Sequence, residues 1–148
     1  MNENTTYLDI IELILSLTKS YEIDGIFDQY DVDGLVTFLK PYFKFAAGEL
    51  EIIDSGINTK RNEILSEFCS HLTDGEQLIF AKYVLIGYLT RDKNDILQMR
   101  LHLQDGDFKT YAEKNMLEAK TNALEVLKEE VMWNVNKNGY KNTNVWGG

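Results

Sequence analysis

The 148-residue chain has one cysteine, one proline, no surplus of basic residues and no long apolar run. A lone Cys69 excludes an internal disulfide framework and a cysteine-rich zinc site. With Pro41 as the only proline, long stretches are free to be helical. The 15 Lys and Arg stand against 24 Asp and Glu, for a net charge of −9. That balance argues against a nucleic-acid clamp, whose affinity comes mostly from clustered cations. The run Tyr7 to Leu17 is interrupted by Asp9, Glu12 and Ser16, and no stretch approaches the ~18 apolar residues of a membrane span. Met1-Asn2-Glu3-Asn4 lacks the basic start of a secretory signal. Together these absences predict a soluble protein that works without crossing a membrane.

The composition is that of an ordinary globular chain, 44% hydrophobic and 26% charged, long enough for one compact unit. Helical spacing dominates. Tyr7, Leu8, Ile10, Ile11, Ile14 and Leu15 fall on one face, with Thr5 or Thr6 as cap and Asp9 suiting the helix start. Asp24-Gly25 and Asp33-Gly34 read as turns. From Leu35 to Ala47 an apolar, aromatic helix is expected, bent or restarted at Pro41 and ended by Gly48. Ile53 to Arg61 reads as a loop, and Glu63 to Phe68 as either short helix or extended chain.

Thr73-Asp74-Gly75-Glu76 is a capping box, in which Thr and Glu each satisfy the other's free N–H. The helix it opens runs through Leu78, Ile79, Phe80, Ala81, Tyr83, Val84, Leu85, Ile86, Tyr88 and Leu89, broken only by Lys82 and Gly87. A helix apolar nearly all round must be enclosed by neighbours or partner subunits. Arg91 to Asn94 then reads as a charged turn, followed by a short amphipathic helix with Ile96, Leu97, Met99 or Arg100, and Leu101 or Leu103, broken at Asp105-Gly106-Asp107. A final helix is expected over Phe108 to Trp133, with Phe108, Tyr111, Ala112, Met116, Ala119, Ala123, Leu127 and Val131 on one face. The expected fold is all-α, a small helical bundle with a buried central helix, a long C-terminal helix and an extended C-terminal arm.

The composition changes after Trp133. Residues 134–148 hold five Asn, three Gly, two Lys and no acid, leaving −11 on residues 1–133 and +2 on the tail. So polar a segment lacks the apolar groups to fold alone. Its anchors, Lys137, Tyr140, Lys141, Val145 and Trp146, suit an arm that orders on a partner.

Candidate catalytic and metal residues are sparse. Setting Asp31, Asp33 and Gly34 at the third, fifth and sixth positions of a calcium loop puts Gln29 first and Lys40 twelfth, where a Glu is needed. The acids Asp24, Asp28, Asp31 and Asp33 therefore read as a solvated loop. Cys69-Ser70-His71 lacks an orienting acid, and Cys69 reads as a small core residue. His102 has no His or Cys at ligand spacing, and no phosphate-binding glycine motif is present. Glu118, Glu125, Glu129 and Glu130 read as a solvated helix face. No catalytic, cofactor or metal residue is expected. Phe38, Tyr42, Phe43 and Phe45 read as core with a share of subunit contact. Phe38, Tyr42, Phe45, Tyr83 and Tyr88 are the candidate interface residues.

The order of these parts resembles the small helical head-to-tail connector (adaptor or neck) proteins of tailed bacteriophages. The resemblance rests on the block Leu35 to Ala47, then Leu72-Thr73-Asp74-Gly75-Glu76 opening a helix that closes at Tyr88-Leu89. Asp107-Phe108 follows, starting a long helix with an Asn-rich tail. It implies a structural protein of the virion head–tail interface, present in host cytoplasm during assembly. Such proteins form a ring, commonly twelve-fold, beneath the portal, and touch portal and tail or neck proteins. DNA only passes through the channel, and neither membrane nor cofactor is involved. Two other classes stay open: a monomeric acidic helical binding module of the immunity or inhibitor type, capping a basic partner, and a metal enzyme using Asp24 to Asp33.

Overall fold

A computed structural model describes residues 3–102 and 118–135, the side chains of 95–102 excepted. It is an all-α bundle with one small hairpin. In chain order α1 spans Tyr7–Ser20, α2 Val32–Ile52, β1 Arg61–Asn62, β2 Glu67–Phe68 and α3 Asp74–His102. Residues 118–135 are helical throughout and form α4.

Helix α1 begins as its sequence requires. The Thr6 hydroxyl accepts from the Asp9 N–H, and the Asp9 carboxylate accepts from the Thr6 N–H at 2.9 Å. Tyr7, Ile10, Ile11, Ile14 and Leu17 are buried. Leu8 and Leu15, expected on the same face, are exposed. Seven residues apart, they share a stripe rotated off the core.

Helix α2 is longer than expected at both ends. Asp33-Gly34 is its first turn rather than a separate one, because Asp31 is the cap and its side chain accepts from the Gly34 N–H at 2.7 Å. A Cβ at residue 34 would stand 2.7 Å from that carboxylate oxygen, so glycine suits the cap. Neither Pro41 nor Gly48 ends the helix, which runs on to Ile52. Pro41 and Thr37, four residues earlier, are both exposed, so water can satisfy the carbonyl that Pro41 leaves without a donor.

Residues 61–68 settle as an antiparallel hairpin, with Arg61 opposite Phe68 and Asn62 opposite Glu67. Tertiary bonds make it so. Tyr7 N–H donates to Ser66, Phe68 N–H to Thr5 and Thr5 N–H to Ser70, and Thr6 bridges to Glu67. Phe68 turns inward and is fully buried, so its neighbour Cys69 turns outward and is exposed, not a core residue.

Helix α3 is the centre of the fold. Its capping box is present, with Thr73 N–H donating to the Glu76 carboxylate at 2.9 Å and Glu76 N–H to the Thr73 hydroxyl at 3.2 Å. Ile79, Phe80, Ala81, Val84, Leu85, Ile86 and Leu89 are buried. The helix packs on both α1 and α2, which touch each other far less. It continues through Arg91 to Asn94 without a turn. That stretch has no Gly or Pro, and the Asp92 carboxylate meets the Lys120 ammonium of α4 at 2.6 Å. The separate short helix is therefore the end of α3. Ala123, Leu124, Leu127 and Val131 bury the inner face of α4, with Ala119 half-covered beside them. The helix runs on through Asn134 and Val135, past the change in composition. The stretch from Leu103 to Leu117 and the arm residues Lys137, Tyr140, Lys141, Val145 and Trp146 lie outside the described residues.

Candidate functional site

Helices α2, α3 and α4 do not close completely on one another. Phe45 and Glu49 of α2, Tyr83, Ile86 and Thr90 of α3, and Lys128, Val131 and Met132 of α4 line a cleft of 350 Å³. Gly87 of α3 lies behind the Phe45 ring. A Cβ there would stand 2.7 Å from the Phe45 ring, so glycine alone lets that ring lie against α3. Burial, then the Glu49 carboxylate, pushes the Tyr83 hydroxyl above its ordinary pKa. The cleft is open at Phe45 and Met132, Met132 being 64% exposed, whereas Trp133 and Val126, also exposed, lie outside its lining.

Lys82, the one charge inside the apolar run of α3, is buried. Its ammonium lies 3.7 Å from the Glu130 carboxylate of α4, which also accepts the Tyr21 hydroxyl at 2.6 Å. A buried cation needs such a partner. Glu130 is thus part of a Tyr21–Glu130–Lys82 network joining α1, α3 and α4, not of the solvated face, whereas Glu118, Glu125 and Glu129 are exposed. A lone lysine in an apolar run was the sequence's signal for this network. The partner's identity was not legible, because it depends on how α4 docks.

The five candidate interface residues separate into two groups. Phe38, Tyr42 and Tyr88 join Phe27 and Tyr30 in one aromatic cluster, with Tyr30 stacked on Phe38 at 4.6 Å and Phe27 against Tyr88 at 4.9 Å. Burial comes first, then Asp92, Tyr30 and Tyr42, in raising the Tyr88 pKa. Phe45 and Tyr83 line the cleft instead. The acids Asp24, Asp28 and Asp33 are exposed beside the capping Asp31, and among the described residues no three His, Cys, Asp or Glu side chains converge as metal ligands. The His71 ring bonds the Glu3 carbonyl at 3.0 Å, and His102 is the last residue of α3. No helix of the described residues is long and apolar enough to cross a membrane.

A second apolar feature escaped sequence reasoning. Ile64 is 94% and Leu65 63% exposed at the hairpin tip. The turn is held by Asn62, whose side-chain oxygen accepts from the N–H groups of both Ile64 and Leu65, at 3.0 and 3.1 Å. The asparagine was the available clue, since Asn bonds its own backbone two residues on. Comparison with known protein families, curated proteins and solved structures finds no match for the chain.

Proposed function

We propose that the chain is a non-enzymatic structural subunit of the bacteriophage head–tail junction. Copies assemble as a ring, twelve-fold in the connectors it resembles, bridging portal to tail or neck proteins and lengthening the DNA channel. The observation that supports this reading is the apolar seam left open between α2, α3 and α4, on a helix that the sequence follows with the Asn-rich segment. A monomer gains nothing from holding Met132 and Trp133 in water, whereas an assembling subunit covers such a surface. The arm, through Lys137, Tyr140, Lys141, Val145 and Trp146, docks on the portal or the next ring. The body's charge of −11 over residues 1–133 lets DNA pass without gripping it. The site of action is the virion, after assembly in host cytoplasm.

Electron microscopy and light scattering of the purified chain, alone and mixed with a candidate portal, test the proposal. Rings, or a chain that becomes ordered on the portal, are the expected result. A monomer that forms one-to-one complexes with a basic protein overturns it in favour of the acidic binding module.

A further inference from the structure

We infer that residues 136–148 turn back on their own chain and seat Tyr140 in the α2–α3–α4 cleft, so that the unassembled protein stores its docking arm. Besides residues 1–2, two segments lie outside the described residues, 103–117 and 136–148. Only the second starts beside the cleft. Lys82 pairs with Glu130 and Asp92 with Lys120, so α3 and α4 run antiparallel. His102 stands twelve residues beyond Thr90, and Glu118 ten before Lys128. The ends of 103–117 are therefore about 18 and 15 Å along the helices from the lining. Val135 follows Met132 by three residues, about 4.5 Å, and still packs on the core. The arm thus leaves from a fixed point at the rim.

The arm's sequence supplies a reversal and an anchor. Asn138-Gly139 is a turn dipeptide, and Tyr140 is the first aromatic side chain after it. The five residues from Val135 to Tyr140 span at most about 17 Å, enough to double back to the end of the cleft between Tyr83 and Met132. At 350 Å³ the space is at the low end of ligand pockets, ~300–1,000 Å³, and suits a side chain rather than a helix. Phe45, Tyr83, Ile86 and Met132 give a ring apolar walls, and Glu49 and Thr90 are partners for its hydroxyl. The charges of the lining balance, Glu49 against Lys128, so attachment and not charge selects the occupant. A short tether holds its ligand at about millimolar effective concentration, far above that of separate chains in dilute solution. A partner must draw the arm out of the cleft, and its apparent affinity falls to the fraction of arms that are free. Only the identity of that partner rests on the ring reading.

The test uses the full chain with Cys69→Ser, because Cys69 is exposed. Lys141→Cys, next to the retained tyrosine, is paired with Glu49→Cys in the lining or with Lys44→Cys, an exposed position of α2 outside it. Under dilute oxidation the Glu49 pair should close within one chain, and faster than the Lys44 pair. Adding Tyr140→Ser should slow the Glu49 pair roughly tenfold, as for loss of one buried aromatic side chain, and leave the Lys44 pair unchanged. Circular dichroism checks that each variant folds. Without engineered thiols, Tyr140→Ser alone should shift the Met132 methyl NMR signal, since a ring leaves its side. Equal closing rates for the two pairs, no effect of Tyr140→Ser on them, or an unmoved Met132 signal overturns the inference. So does a disulfide that forms between chains, which makes a neighbour's arm the occupant. Each of these failures leaves the ring reading standing. A stored arm on a chain that never assembles, alone or on a candidate portal, removes the ring reading instead.

Discussion

The two sides of α3 are packed to different standards. Towards α1, α2 and the hairpin, four rings close a circuit. Tyr7 meets Phe43 at 4.5 Å, Phe43 meets Phe80 at 5.4 Å, Phe80 meets Phe68 at 5.0 Å, and Phe68 returns to Tyr7 at 5.9 Å. All four are fully buried. Towards α4, Phe45, Tyr83, Ile86 and Met132 surround a cleft instead. Tilted and edge-on rings at these separations add to the burial of each side chain, so the first side holds the fold. The second side leaves part of its apolar area uncovered. One helix thus packs into a closed core on one face and against an open cleft on the other.

Truncation on each side sharpens that contrast. Phe80→Ala opens a cavity in the closed circuit and should cost about 3–5 kcal/mol in urea denaturation. Met132→Ala, at an exposed lip, should stay within about 0.5 kcal/mol. Equal losses would erase the distinction between the two sides. A smaller effect is expected where they meet the α2 contact. Gly87→Ala drives a methyl into the Phe45 ring and should cost about 1–3 kcal/mol. Phe45→Ala in the same chain should recover part of that loss, because the two positions touch. Thermal melts of the single and double variants measure the coupling.

The smallest effect concerns Tyr7, whose buried hydroxyl has no hydrogen-bond partner among the described residues. Burial, then Glu63, raises its pKa well above the ordinary ~10 of tyrosine. A raised tyrosine favours the neutral form in the fold. Its contribution is therefore whole below pH ~10 and is lost as pH climbs towards the folded-state value. Tyr7→Phe should leave stability at pH 7 within about 0.5 kcal/mol and make the alkaline decline shallower. Melting temperatures read across that range decide it. An unchanged alkaline slope would show that other tyrosines, such as Tyr21, carry the decline. Burial, then Glu130, raises Tyr21 as well.

Local signals were legible where the chemistry is local. Thr73 and Glu76 form the expected box, Thr6 is the cap of α1, and the Ala119, Ala123, Leu127 and Val131 stripe faces inward. Boundaries failed where exposure decided them. Pro41 lies within its helix with the carbonyl it frees on exposed Thr37, where water can reach it. Asp33-Gly34 resembles a turn until Asp31 is seen to cap the helix. The hairpin was undecidable from residues 63–68 alone, since its register is fixed by residues 5–7. The cleft was half legible. Phe45 and Tyr83 stood out as aromatics, but Met132, Val131 and Glu49 become neighbours only through the docking of α4.

The bonds that tie residues 5–7 to residues 66–72 set an order of events for the growing polypeptide. The Thr5 hydroxyl accepts from the Leu72 N–H at 2.8 Å across a separation of 67 residues. At a synthesis rate of ~5–20 residues per second, that partner appears about 3–13 s after Thr5 is made. Until then α1, with Ile10, Ile11 and Ile14, has no lid and no central helix to lie on. This interval is when a chaperone would have most to hold, and slowing translation before residue 72 would lengthen it.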